Sequence, residues 1–505
     1  MKRTLAVVFI LALGMLSVFG YSLRMDTMGR VLYAIEDFES DVERNPANIA
    51  GLEENYFRLT FGMDAGAFNL DTSYDGITSG SWYGTDTQEM TYSGMPISVL
   101  GFYKFGMFAL GFNFDMPKET FENITTREER EHDGTNYYTR NRERAIESSI
   151  TNFALTVGAN VSNFDAGFNF GQNKGTATFS DVSHESGSSV WDNDWWEVEN
   201  EATYESTFYG FGAKYPTGKM VFEFAYKMAS LTAEMEATKD IDYDGFSDVL
   251  TVNDVSDRDN YPLEVLTLDS SLIHLKGKYS YTEDIDAAFA VDIIVHNAEP
   301  TSQFATIPDY KQADVTVNQT NVSFGIGYNK DKYKFGLEMN YNMFDVTFEG
   351  YGVLDWLAMT TWKASETTAT AKLLVWKAGT EFIATDKLTL RAGAIKYAPL
   401  SAEIENTNFN TDGIATYHST QTLEKLNSAN LILASVGLEY KFTNQISLEY
   451  GYLGGKYLYN QNTLALVSDL GAYGGALMNN ITMFCLLYTS PSPRDRTRSR
   501  MPSSA

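Results

Sequence analysis

Aspartates near the middle of the chain have a spacing that could bind a metal ion. In one twelve-residue run with Gly245 at position 6, positions 1, 3, 5 and 9 are Asp240, Asp242, Asp244 and Asp248. This arrangement matches the calcium-loop pattern, in which hard oxygen ligands converge around Ca²⁺ and the glycine permits a sharp turn. Position 12 is Thr251, so the usual bidentate glutamate is missing. We predict an extracellular Ca²⁺ site at these aspartates, and a solvated acidic loop is the alternative.

The sequence offers little for catalysis. Among the five histidines, His296 comes nearest to a carboxylate partner, because Asp292 lies on the same predicted strand. No serine-centred nucleophile motif and no metal-binding histidine pair accompanies them. We therefore predict that the protein is not an enzyme and that it has no cofactor apart from the Ca²⁺ ion.

Composition and charge exclude several classes of protein. The 505 residues carry a formal net charge of −28, and 44% of them are hydrophobic and 14% aromatic. A nucleic-acid partner is not expected, because phosphates require an excess of lysine and arginine. Intrinsic disorder does not fit this content of apolar and aromatic residues. A helical membrane protein is also not expected, because no apolar run of about 18 residues follows the N-terminus.

Strict alternation of apolar and polar residues recurs through the body of the chain. In residues 333–343 the odd positions are apolar and the even positions are small or polar, and residues 153–161 and 432–442 repeat the pattern. A period of two over about ten residues is typical of a strand that crosses a bilayer in a closed barrel. The sequence therefore predicts an all-β fold, a transmembrane antiparallel β-barrel.

The connections between the predicted strands alternate in length. Short turns near residues 104–106, 162–163 and 216–218 contrast with long polar loops near 117–146, 181–202, 237–268, 351–367 and 403–429. This count gives about sixteen strands, with fourteen as the alternative, and it places both termini on the periplasmic side. Charges of both signs on the predicted inner face indicate internal salt bridges or a wetted surface, because no single-sign selectivity filter is apparent.

The two ends of the chain differ from its body. Residues 1–20 have a positive start, an apolar stretch and small residues before a cleavage position, so they predict a secretory signal peptide. Residues 485–505 hold the single cysteine and four arginines, and their composition resembles translated sequencing-adapter readthrough. We expect the barrel to occupy residues 55–484 and the remainder to be a non-native tail. Without that cysteine, no disulfide chemistry is expected.

Between the signal and the first strand lies a segment, residues 21–54, with a helix-like stretch from Arg30 to Glu43. It ends in Asn45-Pro46-Ala47 just before the first strand. In this respect the sequence resembles the long-chain fatty-acid and aromatic-hydrocarbon transporter family of outer-membrane barrels. The resemblance implies that this segment folds inside the barrel as a hatch and carries the motif Asn45, Pro46 and Ala47 as its site residues. Asparagine and proline together also favour a tight turn.

These observations predict a protein of the outer membrane of a Gram-negative-type bacterium, surrounded by outer-membrane lipid. Its predicted function is passive uptake of small, hydrophobic molecules through a hatch-gated barrel or porin. The alternative is a structural or surface-interaction barrel whose extracellular loops bind partners.

Overall fold

A computed structural model describes residues 23–75, 82–95, 97–131, 137–187, 195–244, 249–253, 263–303, 310–355, 360–424, 430–443, 446–458 and 481–489. The predicted signal peptide, residues 1–20, and the tail beyond Thr489 lie outside these ranges. Two short α-helices come first, α1 (Leu23–Thr27) and α2 (Phe38–Arg44), followed by a 3₁₀-helix, Pro46–Gly51. In the described part of the chain no helix is both long and apolar enough to span a bilayer.

Strands make up almost all of the rest. They are β1 (Tyr56–Asp75), β2 (Trp82–Met95), β3 (Ile97–Phe105), β4 (Phe108–Asp115), β5 (Lys118–Glu131), β6 (Tyr137–Val161), β7 (Phe164–Gly187), β8 (Trp195–Thr217), β9 (Met220–Asp244), β10 (Val249–Asn253) and β11 (Leu263–Ser280). They continue as β12 (Ile285–Gln303), β13 (Tyr310–Lys311), β14 (Ala313–Lys330), β15 (Tyr333–Asp355), β16 (Thr360–Thr385), β17 (Leu388–Phe409), β18 (Ala415–Glu424), β19 (Asn430–Lys441), β20 (Ile446–Leu458) and β21 (Ile481–Thr489).

All strand pairings are antiparallel, and they run around a full circle. Five wall strands consist of two segments each (β2 with β3, β4 with β5, β10 with β11, β13 with β14, and β18 with β19), because both segments pair with the same neighbour. The twenty-one segments therefore form sixteen wall strands. Strand β21 pairs with β20 on one side and with β1 on the other, which closes the sheet. The predicted all-β barrel is confirmed. Its last strand continues five residues beyond the boundary that we expected at Phe484.

The outer surface of the barrel carries a band of exposed apolar side chains near the short turns. Large hydrophobic residues alternate along each strand there, including Phe112, Phe153, Phe168, Phe211, Phe224, Phe289, Phe324, Phe335 and Val436. Exposure of such a continuous apolar surface to water is unfavourable, whereas lipid chains solvate it. Strand closure satisfies the backbone hydrogen bonds that a lipid environment cannot satisfy. This band is therefore the surface that faces the bilayer.

Many strands are much longer than a bilayer requires. Strand β6 has 25 residues, β9 has 25 and β16 has 26, whereas about 9–11 residues suffice to cross the hydrocarbon core. The extra residues lie on the side away from the short turns. The expectation of long polar loops there was wrong for most residues of 117–146, 181–202, 351–367 and 403–429, which continue the strands. No lipid covers this part of the wall, so both faces of these strands carry polar residues. The apolar–polar alternation that identifies a strand in the sequence is therefore absent there.

The N-terminal segment lies inside the barrel, close to the short-turn ends of the strands. Met25, Met28, Val31, Ala47 and Ile49 are fully buried, although they belong to short helices and turns. The expected helix from Arg30 to Glu43 was too long, because residues 28–36 form turns and α2 begins only at Phe38. We call residues 23–52 the hatch.

Candidate functional site

The Asn45-Pro46-Ala47 motif forms a close contact between the hatch and the wall. The Asn45 side chain accepts a hydrogen bond from the backbone N–H of Ala47 at 3.1 Å and so caps the 3₁₀-helix. Its Nδ2 donates to the carbonyl of Ala213 on β8 at 3.0 Å. Pro46 occupies the first helical position, where its missing N–H costs nothing. The motif therefore both turns the chain and fastens it to a strand.

Glycines in the wall make room for the hatch backbone. A Cβ at Gly167 would lie 2.2 Å from the Pro46 carbonyl, and one at Gly212 would lie 1.9 Å from Asn45 Oδ1. Real Cβ atoms cannot approach that closely, so only glycine fits at these positions. Similar contacts surround the rest of the hatch, at Gly158, Gly327, Gly336, Gly379, Gly393 and Gly437. The wall thus has a ring of glycines at the height of the hatch.

Helix α2 and the residues next to it pair with cations on two separate parts of the wall, β11 and β1. The Asp41 carboxylate lies 3.4 Å from Lys276 Nζ, and Glu36 lies 2.7 Å from Lys278 Nζ. Arg58 on β1 contacts Glu39. The charges of the hatch therefore match those of the strands that face it.

In the first turn of the hatch the signs are reversed: the hatch supplies a cation, Arg24, and the wall supplies the carboxylates. Arg24 binds both oxygens of Glu381, through Nε at 2.8 Å and Nη2 at 3.3 Å. Arg391 also binds Glu381 at 2.8 Å, and it contacts Glu439 and Glu449 at 2.7 Å and 3.0 Å. These buried charges are retained because each guanidinium meets carboxylates with good geometry. The predicted salt bridges of the inner face are present at this cluster.

Glu338 and Asp292 hold the middle of the hatch. The Glu338 carboxylate accepts hydrogen bonds from the backbone N–H groups of Leu32 and Tyr33 at 2.8 Å and 2.9 Å. The Tyr33 hydroxyl donates to Asp292 at 2.7 Å, and Asp292 also contacts His274 Nδ1 at 2.5 Å. The pair that we considered for catalysis, His296 with Asp292, is not brought together, because His296 Nδ1 bonds Ser270 at 2.7 Å.

Burial shifts the acid strength of two hatch carboxyls. Burial raises the pKa of Asp41, although Lys276 opposes the shift. Burial raises the pKa of Glu43 well above its ordinary value, and the charge of Lys227 only partly offsets it. At Glu36, nearer the surface, the charge of Lys278 outweighs burial and lowers the pKa. The interior end of α2 therefore holds carboxyl groups that ionise less readily than in water.

Beyond the hatch, two clusters of buried apolar residues lie on the inner face of the wall. One cluster of buried residues on β9, β11, β12 and β14 consists of Leu231, Ala233, Leu266, Leu268, Ala298 and Val315, and Tyr204, Val317 and Phe348 pack against it. A second cluster on β16, β17 and β19 consists of Val375, Ile395 and Leu433. A water-filled porin would expose polar groups at these positions. These two parts of the inner wall are instead apolar.

The structure separates the two sets of predicted site residues. Asn45, Pro46 and Ala47 lie together at the hatch–wall contact. Asp240, Asp242 and Asp244 lie at the end of β9 that is far from the short turns, where β9 pairs with β10. Asp248 lies outside the described residues. Their expected loop is thus a strand as far as Asp244, and alternate residues of a strand are spaced about 7 Å apart. Among the described residues, no group of three metal-binding side chains converges.

Sequence reasoning missed the glycine ring and the two apolar clusters. A signal for both was present. The outward face of each strand is fixed by its aromatic residues, so the inward face can be read from the intervening positions. On β7 those positions include Gly167, Gly171 and Gly175, and on β9 they include Leu231 and Ala233. Glycine in a strand often marks the close approach of another backbone.

No protein-family model and no curated protein matches the sequence. Among solved structures, the chain is similar to a FadL homologue from Pseudomonas aeruginosa, with 13% identity and a TM-score of 0.40 over 82% of this chain and 96% of that one. It is also similar to the toluene transporter TbuX of Ralstonia pickettii (10% identity, TM-score 0.34, 93% and 98% coverage) and to the toluene transporter TodX of P. putida (10%, 0.35, 93% and 97%).

Proposed function

We propose that this protein is an outer-membrane channel for the passive uptake of small hydrophobic molecules, with the hatch closing its periplasmic end. The observation that carries the proposal is the pair of apolar clusters on the inward faces of the strands beyond the hatch. Leu231, Leu266 and Leu268 point inward and pack against one another, which an aqueous pore does not require. An apolar solute that separates them would meet apolar side chains rather than polar ones.

The position of the hatch supports the second half of the proposal. Its contacts all lie near the short-turn ends of the strands, below the apolar clusters. A solute that enters from the far end would reach the clusters first and the hatch last. Hydrogen bonds, ion pairs and apolar packing hold the hatch against the wall, and the chain joins it to β1 at one end. Because these contacts are non-covalent, the hatch can move without unfolding the wall.

Uptake into vesicles whose outer leaflet is lipopolysaccharide provides the test. The wild-type barrel should admit toluene faster than protein-free vesicles and should exclude a disaccharide. Deletion of residues 24–50 should let the disaccharide through. Heat-modifiable gel mobility of the deletion variant would establish that its wall has assembled.

The two halves of the proposal can fail separately. Toluene uptake no faster than in protein-free vesicles would contradict the transport function. Disaccharide exclusion that survives the deletion would contradict the hatch as the closing element.

The second candidate function is a structural or surface-interaction barrel. The observation in its favour is the length of β5 to β9 and β16, which extend far beyond the bilayer and present polar surface. An assembled barrel that admits neither toluene nor the disaccharide, with or without the hatch, would favour this function.

A further inference from the structure

The inner surface of β6, β7 and β8 differs from the two apolar clusters, the first of which begins on the neighbouring strand β9. Exposed Phe153, Phe168 and Phe211 fix the outward face of these strands, so the alternate positions point inward. Along the middle of the three strands, none of the inward positions is charged, and they are Ser148, Ile150, Asn152, Ala154, Thr156, Asn169, Gly171, Asn173, Gly175, Ala177, Ala202, Tyr204, Ser206, Phe208 and Gly210. This part of the wall is neutral and hydrogen-bonding.

Three of these side chains form a row across the strands. Asn152, Asn173 and Ser206 are direct register partners on β6, β7 and β8. Asn173 Nδ2 donates to Ser206 Oγ at 3.3 Å. The Oδ1 atoms of Asn152 and Asn173 are buried and have no hydrogen-bond partner, and Asn173 as a whole is 6% exposed. Two strong acceptors are thus left without a donor, which natural structures seldom tolerate without a reason.

Two aromatic rings frame the row. The ring of Phe208 lies over Gly171, where a Cβ would be 2.2 Å from it, and the ring of Tyr204 lies over Gly175, where a Cβ would be 2.4 Å away. Both rings come from β8, on either side of Ser206, and both rest on β7 on either side of Asn173. We call Asn152, Asn173, Ser206 and the two rings the asparagine notch.

We propose that the asparagine notch binds the hydroxyl group of a neutral, partly apolar molecule, such as a phenol or an aliphatic alcohol, during its passage through the barrel. A hydroxyl supplies the hydrogen that the amide oxygens lack, and the two rings contact the apolar body of the molecule. A carboxylate has no hydrogen to donate to the amide oxygens, and its charge would lose water between the two rings. A hydrocarbon would leave both oxygens unsatisfied. The inference rests on the proposed function and deepens it by naming a class of substrate.

Uptake of three molecules with one ring and different substituents tests the proposal. Phenol, toluene and benzoate would be compared at pH 7 in the lipopolysaccharide vesicles, because phenol is neutral there and benzoate is charged. Wild type should favour phenol over toluene and exclude benzoate. Asn173→Leu should lower the phenol-to-toluene ratio about 5-fold, the order expected for loss of one hydrogen bond.

A matched control lies next to Asn173 on the same strand. Gln172 faces outward, so Gln172→Leu should leave the ratio unchanged. If Asn173→Leu fails to assemble, as judged by heat-modifiable mobility, Asn152→Leu removes the neighbouring acceptor and tests the same prediction.

The outcomes separate this inference from the proposed function. Equal uptake of phenol and toluene by wild type, a ratio that both asparagine variants leave unchanged, or ready uptake of benzoate would overturn the notch while hydrophobic uptake still stands. Uptake of no probe above protein-free vesicles would overturn the proposed function and this inference together.

Discussion

Ion pairs occur at both ends of the long strands, but their surroundings differ. Near the hatch, the side chain of Arg391 is 3% exposed and contacts three carboxylates. At the far end, the side chain of Lys363 is 33% exposed and lies 2.7 Å from both Glu349 and Glu366. The distances are similar, yet the first cluster is shielded from water by the hatch and the second is not.

This difference shows which half of the wall fixes the conformation of the hatch. A buried ion pair whose partner is removed leaves an uncompensated charge, whereas an exposed pair is replaced by water with little loss. The short-turn half of the wall is therefore tied to one hatch conformation by charge, glycine contacts and hydrogen bonds. The far half keeps its strand pairing with exchangeable surface charges.

The largest expected effect comes from removing the charge of Arg391. Arg391→Met should destabilise the barrel by about 3–5 kcal/mol, because Glu381, Glu439 and Glu449 lose their shared cation. The matched change at the other end, Lys363→Met, should cost about 1 kcal/mol or less. Equilibrium unfolding in guanidinium chloride measures both. Equal losses would mean that burial does not distinguish the two regions.

The second-largest effect tests whether the glycine ring is needed to seat the hatch. Gly167→Ala places a Cβ against the Pro46 backbone, so the hatch cannot seat, and we expect a destabilisation of about 1–3 kcal/mol together with disaccharide leakage. The control is Gly277→Ala on β11, where a Cβ meets nothing within 4 Å. Leakage from both variants, or from neither, would contradict a specific glycine seat for the hatch.

A smaller effect concerns pH. Because the pKa of Glu43 is raised in the seated hatch, the seated state binds the proton more tightly than a released, hydrated state. Acid therefore stabilises seating, and this contribution is lost as the pH rises through the raised pKa. Charged groups facing Glu43 are Lys227, Asp115, Glu39 and Arg58.

Limited proteolysis of the hatch between pH 5 and pH 8 measures this dependence. Cleavage of the wild type should become faster with increasing pH, and Glu43→Gln should make the profile less steep, with the contribution of Asp41 remaining. A wild-type profile that is flat, or that accelerates in acid, would show that Glu43 does not control seating.

The smallest effect lies at the far end. Binding of Ca²⁺ by Asp240, Asp242, Asp244 and Asp248 remains a prediction. The affinity of an extracellular site of this kind is about 10⁻⁴–10⁻³ M. Calorimetry and protease protection, each with calcium and with chelator, compare wild type with Asp242→Ala. Identical cleavage under all four conditions would leave these residues as a solvated acidic surface.

The alternation of apolar and polar residues determined the barrel by itself, because a period of two with outward aromatics has one stable solution in lipid. The same rule failed outside the bilayer. There both faces of β6, β9 and β16 meet water, so no hydrophobic period marks the strands, and only pairing with their neighbours extends them.

The sequence by itself also located the Asn45-Pro46-Ala47 turn, because a capping asparagine followed by proline is a local signal. Only the tertiary structure decided what that turn touches. Gly167 and Gly212 are far from it in sequence, and their fit to the hatch depends on which strands become neighbours. The same holds for Arg391 with its three carboxylates and for Asn173 between Phe208 and Tyr204. Closure of the sheet brings these residues together, and closure is a property of all sixteen wall strands at once.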